Sequence, residues 1–227
     1  MHELDSRGSD RLVPRGRLAG VAIAASALLA LAAIAHHPTL GAVRARADVL
    51  PQLVALSTVD EVVHGTIIVL IGVLLFGFTV FSQRRGLQHG TVLAGLIAFA
   101  LGSVTMVGAA LIDGFLIPAL AARYVNGSSQ SVEIALHILT TAGAAIQVLA
   151  VFAIAVTAVA VVSWSTGLVA SRGVLRVAGL IGLASAVLSV AVTLTAGSLN
   201  PHSLGAIVAL QSIWYVTIGI LLTRGDL

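Results

Sequence analysis

The chain has no cysteine and no lysine, and charged residues fill only 9% of its 227 positions. The absence of cysteine excludes disulfides, thiolate metal sites and catalytic thiols. The shortage of charge excludes an ordinary soluble domain, in which roughly 25% of residues are charged. With 58% hydrophobic residues and a mean hydropathy of +1.07, the composition predicts an integral membrane protein.

Several nucleotide-binding and catalytic signatures are also missing from the sequence. It contains no Walker A sequence, no dinucleotide-binding glycine fingerprint, no nucleophile elbow and no His-Glu-x-x-His zinc motif. The net charge of +3 comes from arginines between the apolar segments, which indicates membrane orientation and no nucleic-acid partner. Arginine as the sole basic residue, beside abundant alanine and valine, favours a bacterial protein of the inner membrane.

Runs of about twenty apolar residues predict the fold class, an all-α integral membrane protein with six transmembrane helices. One domain over residues 18–223 would contain them, and an amino-terminal stretch ending in "AIAHH" could instead be a cleaved signal peptide. Pro118 is expected to kink or end the third span. The predicted spans cover about residues 18–35, 62–81, 91–120, 132–162, 174–196 and 204–222.

The arginines predict how these helices are oriented. Nine of them flank one side of the spans: Arg7, Arg11, Arg15, Arg17, Arg84, Arg85, Arg172, Arg176 and Arg224. Only Arg44, Arg46 and Arg123 fall on the other side. By the positive-inside rule both termini are cytoplasmic, residues 1–17 form a cytoplasmic tail, and residues 36–58 form an outer segment that could act as a cap.

The titratable residues are concentrated on the outer, periplasmic or extracellular side. Five of the seven histidines and five of the nine acids fall there: His36, His37, His64, His137 and His202, with Asp48, Asp60, Glu61, Asp113 and Glu133. Ionisable groups inside membrane segments normally face the bundle interior or a wet cavity and have partners. This one-sided distribution predicts a polar site at the outer edge of the bilayer.

The spacing of these residues suggests metal binding. Asp60 and His64 are four residues apart, as are Glu133 and His137, so each pair shares one face of a helix. A neutral imidazole binds zinc, copper or iron, and a neighbouring carboxylate either coordinates as well or orients the ring. The ordinary alternatives are helix capping for the acids and interior hydrogen bonds for the histidines.

The predicted centre contains one or two metal ions. Its candidate metal ligands are His36, His37, His64, Asp113, His137 and His202. Its candidate catalytic residues are Asp113, Glu61 and Glu133, with Asp60 or Glu61 beside His64 as orienting group or further ligand. Trp214 and Tyr215, several turns inside the sixth span, are further candidates for lining the site.

Three functions fit such a site. A metalloenzyme would act on a lipid or other apolar substrate entering from the bilayer, with copper- or iron-dependent oxidation slightly favoured over zinc-dependent hydrolysis. A b-type haem protein would use His64 and His137 as cofactor-binding axial ligands. A transporter of small solutes or metal ions would use the cluster as its outer binding site. The sequence leaves the oligomeric state open, a homo-oligomer included.

Overall fold

A computed structural model describes residues 6–38 and 48–227, with side chains from residue 16 onward, and these residues are almost entirely helical. A π-helical segment, Ile112–Leu116, joins the third helix to the fourth. The helices are α1 Ser6–Ala35, α2 Val49–Arg85, α3 Gly90–Leu111, α4 Ile117–Tyr124, α5 Ser129–Val169, α6 Val174–Thr195 and α7 Pro201–Arg224. Within the described ranges six stretches are long and apolar enough to cross a membrane, which confirms the predicted fold class.

Helices α2 and α5 are much longer than a bilayer requires. They contain 37 and 41 residues, or about 55 and 60 Å at 1.5 Å per residue, against a hydrocarbon core of about 30 Å. Their first turns pack with α4 in a small separate core formed by Leu50, Ala121, Ala135 and Leu136. Helix α2 therefore begins thirteen residues before the predicted second span. Residues 39–47 of the predicted cap and residues 1–5 of the predicted tail lie outside the described residues.

The main core is built on aromatic rings at the other end of the bundle. The Phe78 ring stacks between two indoles, with centroid distances of 5.0 Å to Trp164 and 5.6 Å to Trp214. Phe81, Phe99 and Tyr215 complete the group with tilted or edge-on contacts. Aromatic pairs of this kind contribute about 0.5–1.5 kcal/mol each beyond the area they bury.

We expect Phe78→Ala to lower the free energy of unfolding by about 3–5 kcal/mol, because it empties the centre of this aromatic group. Unfolding in detergent micelles followed by circular dichroism measures the change. Phe76→Ala on the same helix is the matched control, since that ring is 48% exposed, and its cost should stay below about 1 kcal/mol. Equal losses in the two variants would show that the stacked position of Phe78 adds no more to the free energy of unfolding than an exposed ring does.

The π-helical segment lies where the sequence predicted an interruption. A proline ring clashes with the carbonyl four residues before it, and the carbonyl opposite Pro118 belongs to Gly114. The widened π-turn ends just before Pro118, at the start of α4. Such turns shift the register of a helix and often occur at functional sites. Here the π-turn carries Asp113 and brings Gly114 against α2.

Candidate metal centre

His64 lies at the centre of a polar cluster inside the bundle. It belongs to α2 and is only 5% exposed. Its Nδ1 lies 2.9 Å from the backbone carbonyl oxygen of Asp60 and 3.1 Å from Asp60 Oδ1. Its Nε2 lies 3.3 Å from Oδ2 of Asp113 in the π-helical segment. Both ring nitrogens are therefore held against carboxylate oxygens from two different helical segments.

His37, just beyond the end of α1, approaches the same carboxylate. Its Nδ1 lies 2.8 Å from the carbonyl oxygen of Pro38, and its Nε2 lies 3.9 Å from Asp113 Oδ2. The His37 and His64 rings meet edge to face, with centroids 5.0 Å apart and an interplanar angle of 81°. We call His37, Asp60, His64 and Asp113 the histidine centre.

Three of these side chains lie close enough together to hold a metal ion. In the described part of the chain, His37, Asp60 and His64 form a group whose ligand atoms lie within 4.8 Å of one another. A tetrahedral ion with bonds of about 2.0–2.1 Å holds its ligand atoms about 3.3 Å apart. The 3.3 Å between His64 Nε2 and Asp113 Oδ2 already meets this value. The 3.9 Å from His37 Nε2 to the same oxygen needs a shift of about half an ångström.

The hydrogen bonds around the two rings direct their other nitrogens toward Asp113. In both rings Nδ1 faces a backbone carbonyl, which accepts an N–H and so assigns the proton to Nδ1. Each Nε2 then presents a lone pair toward the carboxylate of Asp113. A cation between these acceptors, either a metal ion or a proton that converts His64 to imidazolium, would satisfy both of them.

The other predicted site residues lie apart from this group. His36 is exposed, and its Nδ1 bonds to the carbonyl of its own helix at Ala32. His137 and Glu133 pair at 3.4 Å, but their side chains are 72% and 50% exposed. Glu61 is exposed. His202 is also exposed, and its backbone N–H donates to Asn200 Oδ1 at the start of α7.

Gly114 is a packing residue that sequence reasoning missed. A Cβ at this position would collide with Cβ and Cγ of His64 and lie 2.8 Å from His64 Nδ1. The glycine therefore lets the π-helical segment approach α2 closely enough for Asp113 to reach the imidazole. No local sequence signal separates Gly114 from the chain's many other glycines.

Two cavities meet at the histidine centre. The outer cavity, about 420 Å³, lies between the first turns of α2, the start of α4 and the outer part of α5. The inner cavity, about 180 Å³, runs into the bundle between α1, α2, α3, α5 and α7 and has mainly aliphatic walls. His37 and Asp113 line both cavities, so the centre forms the partition between them.

No protein-family model, curated protein or solved structure matches the chain. The chemistry of the histidine centre is therefore inferred from its own side chains and from the two cavities. The histidine centre contains two imidazoles and two carboxylates, and the apolar inner cavity lies beside it.

Proposed function

We propose that this chain is a membrane metalloprotein that binds one divalent or redox-active metal ion at the histidine centre. The ligands are Nε2 of His37, Nε2 of His64 and the carboxylate of Asp113. Asp60 holds the other nitrogen of His64 and is a further available ligand. The convergence of both Nε2 atoms on one Asp113 oxygen is the observation that carries the proposal.

The surroundings of the centre favour an enzyme that acts on an apolar molecule. Two histidines and one carboxylate leave coordination positions open, as in non-haem iron oxygenases and some zinc hydrolases. Hydrolysis also needs hydrogen-bond donors for a developing oxyanion. Thr140, which lines the outer cavity, already donates its hydroxyl proton to the carbonyl oxygen of Leu136. Ser103, in the inner cavity, lies ten residues or about 15 Å along the chain from Asp113. Redox chemistry by iron or copper is therefore favoured over zinc-dependent hydrolysis.

We further propose that this centre lies on the periplasmic or extracellular side of a bacterial inner membrane, because nine of the twelve arginines flank the opposite ends of the helices. The extended ends of α2 and α5 and the small core around Leu50 would then form the outer cap of the domain. In this orientation the outer cavity faces the aqueous phase and the inner cavity reaches toward the middle of the bilayer.

Elemental analysis with an optical spectrum, on protein purified in detergent, tests the proposal. We expect about one equivalent of iron, copper or zinc and no Soret band. Iron or copper would support redox chemistry, and zinc would support hydrolysis. A Soret band would replace the metal centre with haem. This outcome is not expected, because both His64 nitrogens face carboxylates and the inner cavity is only slightly larger than one that holds benzene.

A second function is favoured by the position of the centre between two cavities. A carrier needs a binding group that is accessible from each side of the membrane in turn. His64 lies between two carboxylates at the partition between the two cavities. Protein without metal or haem, but with proton-coupled uptake of a solute into proteoliposomes, would support the carrier and overturn the metalloenzyme.

A further inference from the structure

The inner cavity extends from the histidine centre along one face of α2. The residues of α2 that line it are His64, Ile67, Ile71 and Leu74, at the three- and four-residue spacing of a single helix face. Ten residues separate the first from the last, which corresponds to about 15 Å. This is half of the roughly 30 Å hydrocarbon core, the depth of one lipid leaflet.

Small side chains form much of the cavity wall and leave the space between the helices unfilled. Ala27, Ala30, Gly102, Ala109 and Ala150 line it. The resulting slot of about 180 Å³ is little larger than a cavity that accommodates one benzene ring. Its length and small volume together fit one slender chain and exclude two chains or a large fused ring system.

The inner end of the cavity is closed by aromatic rings and carries a polar group. Phe99 and Tyr215 line it, and Trp164 and Trp214 stack around Phe78 behind them. Tyr215 is only 6% exposed and lines the cavity. Its hydroxyl is the polar group that this end of the cavity offers to a ligand or a water molecule.

We propose that the inner cavity binds one unbranched alkyl chain of a membrane amphiphile, with its polar end at the histidine centre. This rests on the proposed function and names its substrate class. The volume of about 180 Å³, little above that of a cavity that holds the six carbon atoms of benzene, limits the buried part of the chain to roughly eight carbon atoms. Tyr215 sets the limit, because a longer chain would exclude water from its hydroxyl and leave a buried donor unsatisfied, a loss of about tenfold in affinity.

Photo-cross-linking in lipid nanodiscs tests this proposal. The probes are n-alkan-1-ols of about 8 and about 14 carbon atoms with a diazirine near the chain end, and peptide mass spectrometry locates the label. We expect the shorter probe to label Leu74 or Phe99, which face the cavity. Bulk lipid contact labels Val69 and Val104, which are 65% and 68% exposed on the same two helices. Labelling confined to the exposed valines would overturn the proposal.

Two variants sharpen the test. Ala30→Phe places a ring halfway down the slot and should abolish the interior label while the exposed valines stay labelled; an unchanged interior label contradicts the proposal. Tyr215→Phe keeps the aromatic packing and should raise interior labelling by the longer probe about tenfold. The control is Tyr124→Phe, because Tyr124 lies in the small outer core. Equal labelling by the longer probe in both tyrosine variants would show that Tyr215 does not limit the length of the bound chain.

Metal analysis of the same samples separates this inference from the proposed function. Stoichiometric metal without an interior label would overturn the alkyl-chain site and leave the metal centre in place. An interior label in a protein that binds no metal would support the alkyl-chain site and overturn the metal centre.

Discussion

Replacing His64 with alanine is expected to reduce bound metal from about one equivalent to less than about a tenth. The substitution removes the ring nitrogen nearest Asp113 and leaves two carboxylates facing each other without the imidazole between them. A remaining pair of ligands binds far more weakly than three, and loss of a mere orienting partner already costs about 10–100-fold in metal affinity. Elemental analysis after size-exclusion chromatography measures the loss on folded protein.

His137→Ala is the matched control. His137 has the same acid four residues before it, on a helix of the same bundle, but its side chain is 72% exposed. The histidine centre as drawn therefore predicts full metal content in this variant. Loss of metal from His137→Ala with retention in His64→Ala would mean that the metal binds around α5, and would contradict the proposed ligand set.

The sequence was sufficient to predict the membrane fold and the neighbourhood of the centre. Long apolar runs specify transmembrane helices because every backbone polar group in lipid must be paired within the helix. An imidazole deep in such a run also needs partners, which is why His64, His137 and Asp113 were expected at one site, with Asp60 or Glu61 beside His64. The structure brings His64, Asp60 and Asp113 together with His37 and leaves His137 apart.

The same reasoning could not distinguish His64 from His137. In a soluble protein the apolar stripe of a helix shows which side is buried. In α2 and α5 the lipid-facing side is as apolar as the packed side. The equal acid–histidine spacings therefore do not show which histidine faces the interior of the bundle. His64 faces inward and His137 faces outward only because of how the helices pack.

The choice between His36 and His37 depends on where α1 ends. Adjacent residues point about 100° apart on a helix, and α1 stops at Ala35. His36 still bonds back to Ala32, whereas His37 turns toward Asp113. The hydropathy shows the end of α1 at residue 35 but not the early start of α2 at Val49, because packing against α4 and α5 extends α2 beyond the apolar run.

Gly114→Ala is expected to lower metal affinity about 10–100-fold although position 114 carries no ligand. The new methyl group would occupy the space of His64 Cβ and Cγ. A flexible side-chain tip could move away, but Cβ is fixed to the backbone of α2. The π-helical segment and α2 must therefore separate by about 1 Å, which carries Asp113 away from His64 Nε2 at an overpacking cost of about 1–3 kcal/mol.

Gly72→Ala on α2 is the control for this substitution. A Cβ at Gly72 meets no atom within 4 Å, and alanine favours a helix more than glycine does. Its metal content and thermal stability should equal or exceed those of the parent protein. Titration with the metal found in the native protein, alongside thermal unfolding, separates lost affinity from lost folding. If Gly114→Ala bound metal as tightly as Gly72→Ala, the close approach of the π-helical segment would have no part in forming the centre, and Asp113 would have to be replaced as a ligand by Asp60.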